Sequence, residues 1–136
     1  MRKRNLLFVF IWLIVIFVMS SFNANVSSNQ SNFIVNIISS IFNINNIKLL
    51  SLIVRKLAHF TEYLILGILV FSLNTNSKRY RYYAFIFCLL YAISDEIHQF
   101  FVSGRACQII DILIDSFGAF CGIILLSILV KKFDNR

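Results

Sequence analysis

Four long apolar segments constrain this chain more than any other feature of its sequence. They cover about residues 6–22, 57–73, 82–101 and 109–130. A helix that crosses a bilayer needs about 20 mostly apolar residues, with about 17 as the lower limit. Because 59% of the residues are hydrophobic and only 14% are charged, a soluble globular domain, a disordered tail and a collagen-like fibre are excluded. We therefore predict an all-α membrane protein, with one domain over residues 1–136 and a bundle of four transmembrane helices.

The basic residues indicate how these segments are oriented. The first segment follows a basic start, as in a secretory signal, but its cleavage site is poor and more apolar segments follow, so we interpret it as a retained span. Positive residues favour the cytoplasmic side. Nine of the thirteen cations lie at the two termini or between segments two and three, which predicts cytoplasmic N- and C-termini. These cations form no continuous basic face, so the net charge of +7 does not indicate nucleic-acid binding.

Residues 23–56 are then expected on the outer side of the membrane, in its interface or re-entering beside the bundle. Their first part is rich in Asn and Ser and predicts a flexible linker. From Phe33 the apolar residues repeat at helical spacing, which predicts an amphipathic helix in the outer interface. The alternative is a helix that packs over the bundle and has no function of its own. The apolar face consists of Phe33, Ile34, Ile37, Ile38, Ile41 and Phe42.

Acidic residues are few, and five of the six lie in or beside the apolar segments. On the predicted topology, all five fall at the outer ends of segments two, three and four. A carboxylate at the bilayer centre costs about 2.5 to 3.5 kcal/mol, so these side chains should surround a polar pocket rather than face lipid. Three basic residues accompany five acids, and the remaining negative charge must be met by protonation, charged histidine or a bound cation. The acids are Glu62, Asp95, Glu96, Asp111 and Asp115, and the basic residues are Arg55, Lys56 and Arg105.

Three motifs in this region resemble the VanZ-like family. They are the segment 56–63 with Gly67, the segment 94–101, and Gly104-Arg105 followed by Asp111, Asp115 and Gly118. The resemblance covers about residues 55–122, and Ser103 stands where family members usually carry proline. It implies a small integral protein of the bacterial cytoplasmic membrane. The founding member confers low-level resistance to the glycopeptide teicoplanin, so the resemblance implies a role in the cell envelope and in antibiotic resistance, but no reaction.

The residues themselves leave three functional hypotheses open. The first is an enzyme acting on an anionic lipid or a lipid-linked cell-wall precursor, and the second is a protein that binds or shields that head group without chemistry. The third is a buried ion-pair network that fixes helix register. The catalytic candidates are His59, Glu62, Asp95 and His98. The substrate-binding candidates are Arg55, Lys56, Tyr63, Ser94, Glu96, Gln99 and Arg105. The only cofactor that the sequence suggests is a divalent metal, held by Asp111 and Asp115.

Overall fold

The computed structural model describes residues 2–42, 46–75 and 77–134. Within these ranges the chain forms five helices and no strand, so the predicted all-α class is confirmed. The helices are α1 (Arg2–Ser20), α2 (Ala24–Phe42), α3 (Ile47–Phe71), α4 (Lys78–Phe100) and α5 (Ile109–Asp134).

The helices differ in how well they suit a bilayer. In the described part of the chain, one helical segment, Ile109–Lys132, is both long and apolar enough to cross a membrane. The apolar part of α1, Arg4–Ser20, is shorter. Charged residues interrupt the apolar sequence of α3 and α4, which carry the basic and acidic groups described above. The length and composition of the helices therefore do not by themselves establish four membrane spans.

Two helices begin earlier than the sequence predicts. The α2 helix begins at Ala24, so residues predicted as a linker form its first half. The α3 helix begins at Ile47, where the Asn46 side chain accepts a hydrogen bond from the Leu49 amide. Such a cap satisfies one of the free amides at a helix start.

The amphipathic helix buries a different residue from the predicted face. Val35 is fully buried, whereas Phe33 is 70% exposed and Ile37 is 47% exposed. The side chains of Ile41 and Phe42 lie outside what the structure describes. The predicted apolar face of α2 is thus partly exposed, although the helix packs on α3.

Helix direction alternates along the bundle, apart from α2. At one end, the Asn5 side chain of α1 donates to the Ser72 carbonyl beside the end of α3, at 3.3 Å. At the other end, the Ser21 hydroxyl lies 3.1 Å from Nε2 of His98 on α4. Hence α1 and α4 run in one direction, and α3 and α5 run in the other. The ends that carry the acidic residues of α3, α4 and α5 therefore meet at one end of the bundle.

Close contact between α3 and α5 depends on glycine. Of the four glycines in the chain, Gly67, Gly118 and Gly122 lie at this contact, where an added Cβ would overlap a backbone carbonyl of the facing helix. Small residues let helix backbones approach in this way. The fourth, Gly104, has φ 77° in the turn before α5, a conformation that favours glycine. The glycines thus fix the register of α3 against α5 and shape the turn that carries Arg105.

Candidate functional site

Buried polar side chains gather at one end of the bundle. The α4 helix contributes its last turns, and α5 contributes its first turns. The α3 helix, which runs parallel to α5, adds His59 and Glu62 from its middle. The fully or almost fully buried members are Asp95, Glu96, Gln99, Asp111 and Asp115.

A histidine and two aspartates lie at the centre of this region. Nδ1 of His59 is 3.5 Å from Oδ1 of Asp115, and their side chains are 11% and 0% exposed. One donor atom each from His59, Asp95 and Asp115 lies within 4.8 Å of the other two. Such a set of one imidazole and two carboxylates, contributed by three helices, could hold a metal ion.

Asp111 belongs to a different pair. Its carboxylate accepts a hydrogen bond from the Lys56 ammonium at 2.5 Å. The predicted metal pair of Asp111 and Asp115 is thus divided between two partners on α3. The physical reason is that residues 56 and 59, like residues 111 and 115, lie about one helical turn apart. When α3 and α5 pack in parallel, each acid meets its own basic partner.

Two cavities open beside the central group. One, of about 140 Å³, is lined by Arg55, His59, Glu62, Asp95 and Arg105, together with apolar residues of α1, α2 and α3. The other, of about 220 Å³, also contains Arg55, His59 and Arg105, and adds Gln99 and Asp111. Both cavities are therefore lined by the same two arginines and the same histidine.

Arg105 is positioned by the turn between α4 and α5. Its amide donates to the Val102 carbonyl at 3.1 Å, and Gly104 supplies the left-handed step before it. Burial, together with the positive charge of Arg55, lowers the pKa of Arg105 from its ordinary value. An arginine nevertheless stays protonated in proteins, so both guanidinium groups are cationic.

Some predicted site residues lie away from the cavities. Ser94 is exposed and its hydroxyl donates to the Tyr91 carbonyl of its own helix at 2.8 Å. His98 stacks on Phe17, with ring centroids 4.6 Å apart, and contacts Ser21 instead of the central group. Because successive helical residues point about 100° apart, Ser94 cannot face the cavity that Asp95 lines.

Glu96 and Tyr63 are buried and line neither cavity. Oε2 of Glu96 accepts a hydrogen bond from the Gln108 amide at 2.8 Å, which ties α4 to the start of α5. Tyr63 is fully buried, with its ring 6.4 Å from that of Tyr91. The described contacts give both residues a place in the packing of the bundle.

A family comparison adds to this geometry. The family model described as VanZ/LLP1 matches residues 5–130. The chain belongs to this family. The match confirms the resemblance and extends it over α1, α2 and most of α5. No curated protein and no solved structure matches the chain.

In this VanZ/LLP1 member, α1 and α2 also contribute to the site, which the sequence motifs did not indicate. Met19 and Ser20 of α1 and Ile34 of α2 line the smaller cavity. The indole Nε1 of Trp12 donates to the Glu62 carbonyl at 2.9 Å, which attaches α1 to the α3 segment that carries the site. The only sequence signal for these contacts is the position of Ser20 at the end of an apolar segment.

Proposed function

We propose that this VanZ/LLP1 protein spans the bacterial cytoplasmic membrane four times, through α1, α3, α4 and α5, with both termini in the cytoplasm. Large apolar side chains are exposed along the whole length of α1 and α5, and soluble monomers rarely expose such continuous apolar surface. Examples are Leu6, Phe10, Phe17, Leu113, Phe117 and Ile128. The alternating helices and the basic residues of the described chain near the opposite end support an outer location for the polar cavities.

We further propose that the cavities bind the anionic head group of a membrane lipid or a lipid-linked cell-wall precursor. The observation that carries this proposal is that Arg55 and Arg105 line both cavities. A guanidinium group presents a planar fork of donors that matches phosphate oxygens. The founding member of the family confers resistance to teicoplanin. A related protein that occupies such a head group would reduce the access of teicoplanin to the membrane surface.

Catalysis on the same head group is the second candidate function. It is favoured by the His59–Asp115 contact, because a carboxylate beside an imidazole orients it and supports its action as a general base. Ser94 does not fit the role of nucleophile, since it is exposed on another face of α4. The enzymatic version therefore uses a water molecule activated by His59.

A purely structural network explains the site less well. A network that only fixes register would pair its own buried groups, because an unpaired buried polar group is costly. Among the described residues, the buried polar atoms without a hydrogen-bond partner include Nδ1 of His59 and both carboxylate oxygens of Asp115, together with the hydroxyls of Ser20 and Tyr63 and Oε1 of Glu96. These atoms favour a site that receives a ligand.

The test is lipid binding by protein reconstituted in nanodiscs. Phosphatidylglycerol should bind more tightly than phosphatidylcholine, and Arg105→Gln should weaken phosphatidylglycerol binding at least about ten-fold, because charged hydrogen bonds contribute about 1.5 to 3 kcal/mol. The matched control is Arg79→Gln, which removes an exposed arginine near the start of α4. Equal binding by Arg105→Gln and the control would reject the head-group site.

Cells that express the protein separate binding from catalysis. If the protein only binds, wild type should raise the teicoplanin concentration needed to stop growth without changing the envelope lipids. If it catalyses a reaction, lipid mass spectrometry should show a product that disappears with His59→Ala. Membrane abundance of each variant is measured by immunoblot, so that degradation is not mistaken for loss of function.

A further inference from the structure

The carboxylate of Asp115 occupies an unusual environment for an acid. It is fully buried, and neither oxygen has a hydrogen-bond partner among the described residues. A buried carboxylate in this position needs a proton, a cation or another donor to offset its lost hydration. The nearest basic group is His59, at 3.5 Å, which exceeds the usual length of a charge-assisted hydrogen bond.

The same distance suits two ligands of one metal ion. In tetrahedral coordination with bonds of about 2.1 Å, adjacent ligand atoms are about 3.4 Å apart. Asp95 completes the set, since one of its oxygens lies within 4.8 Å of both other donors and its side chain is buried. Small side-chain movements would bring all three donors to bonding distance.

The charges around the site also match a divalent cation. Five acids gather at this end of the bundle, against four basic residues from α3 and the turn before α5, which are Lys48, Arg55, Lys56 and Arg105. Lys56 already pairs with Asp111, so it does not neutralise the central group. We propose that His59, Asp95 and Asp115 form a divalent metal site, with Zn²⁺ as the ion that fits the donors best.

The donor types decide between metals. An imidazole nitrogen favours Zn²⁺ over Mg²⁺ and Ca²⁺, which prefer sites made wholly of oxygen. Three protein ligands also leave one position of a tetrahedral ion open, as in catalytic zinc sites. His59 and Asp95 both line the smaller cavity, so we infer that the open position would take a phosphate oxygen of the head group. This last step rests on the proposed function, whereas binding of the metal alone does not.

Metal binding is measured on the full-length protein, purified in detergent and stripped with a chelator. Wild type should bind about one Zn²⁺ per chain by calorimetry and elemental analysis. Asp115→Asn and His59→Gln should each lower the affinity at least about ten-fold. The control is Asp134→Asn, at the far end of α5, which should keep the affinity and stoichiometry of wild type. Asp111→Asn, which removes the acid paired with Lys56, is measured as a further variant.

Absence of saturable Zn²⁺ binding by the wild type would overturn the proposal, and so would unchanged affinity in both Asp115→Asn and His59→Gln. A weakened Asp111→Asn with a normal His59→Gln would place the metal elsewhere. The absorption spectrum of Co²⁺ bound to wild type provides a test that needs no variant: bands of tetrahedral Co²⁺ support the site, and bands of hexahydrated Co²⁺ contradict it.

Parallel lipid measurements keep the two proposals apart. Arg105→Gln should bind Zn²⁺ normally while it loses phosphatidylglycerol. If wild type binds the lipid but not the metal, the metal site is wrong and the head-group site stands. If wild type binds the metal but not the lipid, the head-group site is wrong and the metal site stands.

Discussion

Adding one methyl group to α5 should push it away from α3. In Gly118→Ala, the new Cβ would overlap the carbonyl oxygen of Phe60, and in Gly122→Ala that of Leu64. Both obstacles are backbone atoms, which cannot rotate away as a side chain can. The helices must therefore separate, and the contacts around the methyl group must readjust.

The expected loss follows from two opposing effects. Overpacking of a well-packed contact costs about 1 to 3 kcal/mol, and a clash with backbone belongs at the upper end. Alanine has a higher helix propensity than glycine, which returns about 1 kcal/mol. We expect each variant to lower the free energy of unfolding by about 1 to 2 kcal/mol. Once the helices have separated for one methyl group, the second meets less resistance, so the double variant should lose less than the sum of the single losses.

The assay is reversible unfolding in mixed micelles, titrated with SDS and followed by circular dichroism. Gly104→Ala is the control, because it adds the same methyl group at φ 77°, in a turn that does not touch the α3–α5 contact. Its cost, about 1 to 2 kcal/mol, should add fully to that of Gly118→Ala. Stability of Gly118→Ala equal to or above that of wild type, or full additivity in the Gly118→Ala/Gly122→Ala double variant, would refute the close-approach reasoning.

Two further predictions concern the ion pair and the topology. Lys56→Met leaves the buried Asp111 without its partner and should cost about 1.5 to 3 kcal/mol in the same unfolding assay, while the double variant with Asp111→Asn should regain part of that loss. If Lys56→Met left the free energy of unfolding unchanged, the Lys56–Asp111 pair would not contribute to stability. Cys107 is exposed in the turn before α5, so a membrane-impermeant maleimide should label it in intact cells, with Cys107→Ser as the unlabelled control. Labelling only after permeabilisation would reverse the proposed orientation.

The sequence predicts the helices best where one apolar run sets their length. The predicted segment 109–130 lies within α5, which begins at Ile109. The starts of α2 and α3 were predicted less well. The segment before Phe33, which begins α2, is rich in Asn and Ser, and these residues have weak helix propensity. In α3, the Lys and Arg residues before Leu57 lower the hydropathy of a helix whose other side is buried. Tertiary packing decides both cases, and a single sequence does not show it.

Gathering of the acids could be predicted, but their pairing could not. Helical spacing places Asp111 and Asp115 on one face of α5, whichever helix packs against that face. Which of them meets His59 depends on the register of α3 against α5, and three glycines set that register through backbone contact. The face of α4 that turns inward is likewise a property of the bundle. Helical spacing alone does not show whether Ser94 or Asp95 faces the site.

The wall of the smaller cavity has a consequence for what the protein can recognise. Met19, Ile34 and Val54 form an apolar border beside the two arginines, and the outer faces of α1 and α2 expose further apolar side chains. A lipid that enters across this border keeps its acyl chains in the surrounding bilayer while its head group reaches Arg105. If the proposed head-group site binds lipid, such an entrance would distinguish lipids by their head groups and not by the length of their chains.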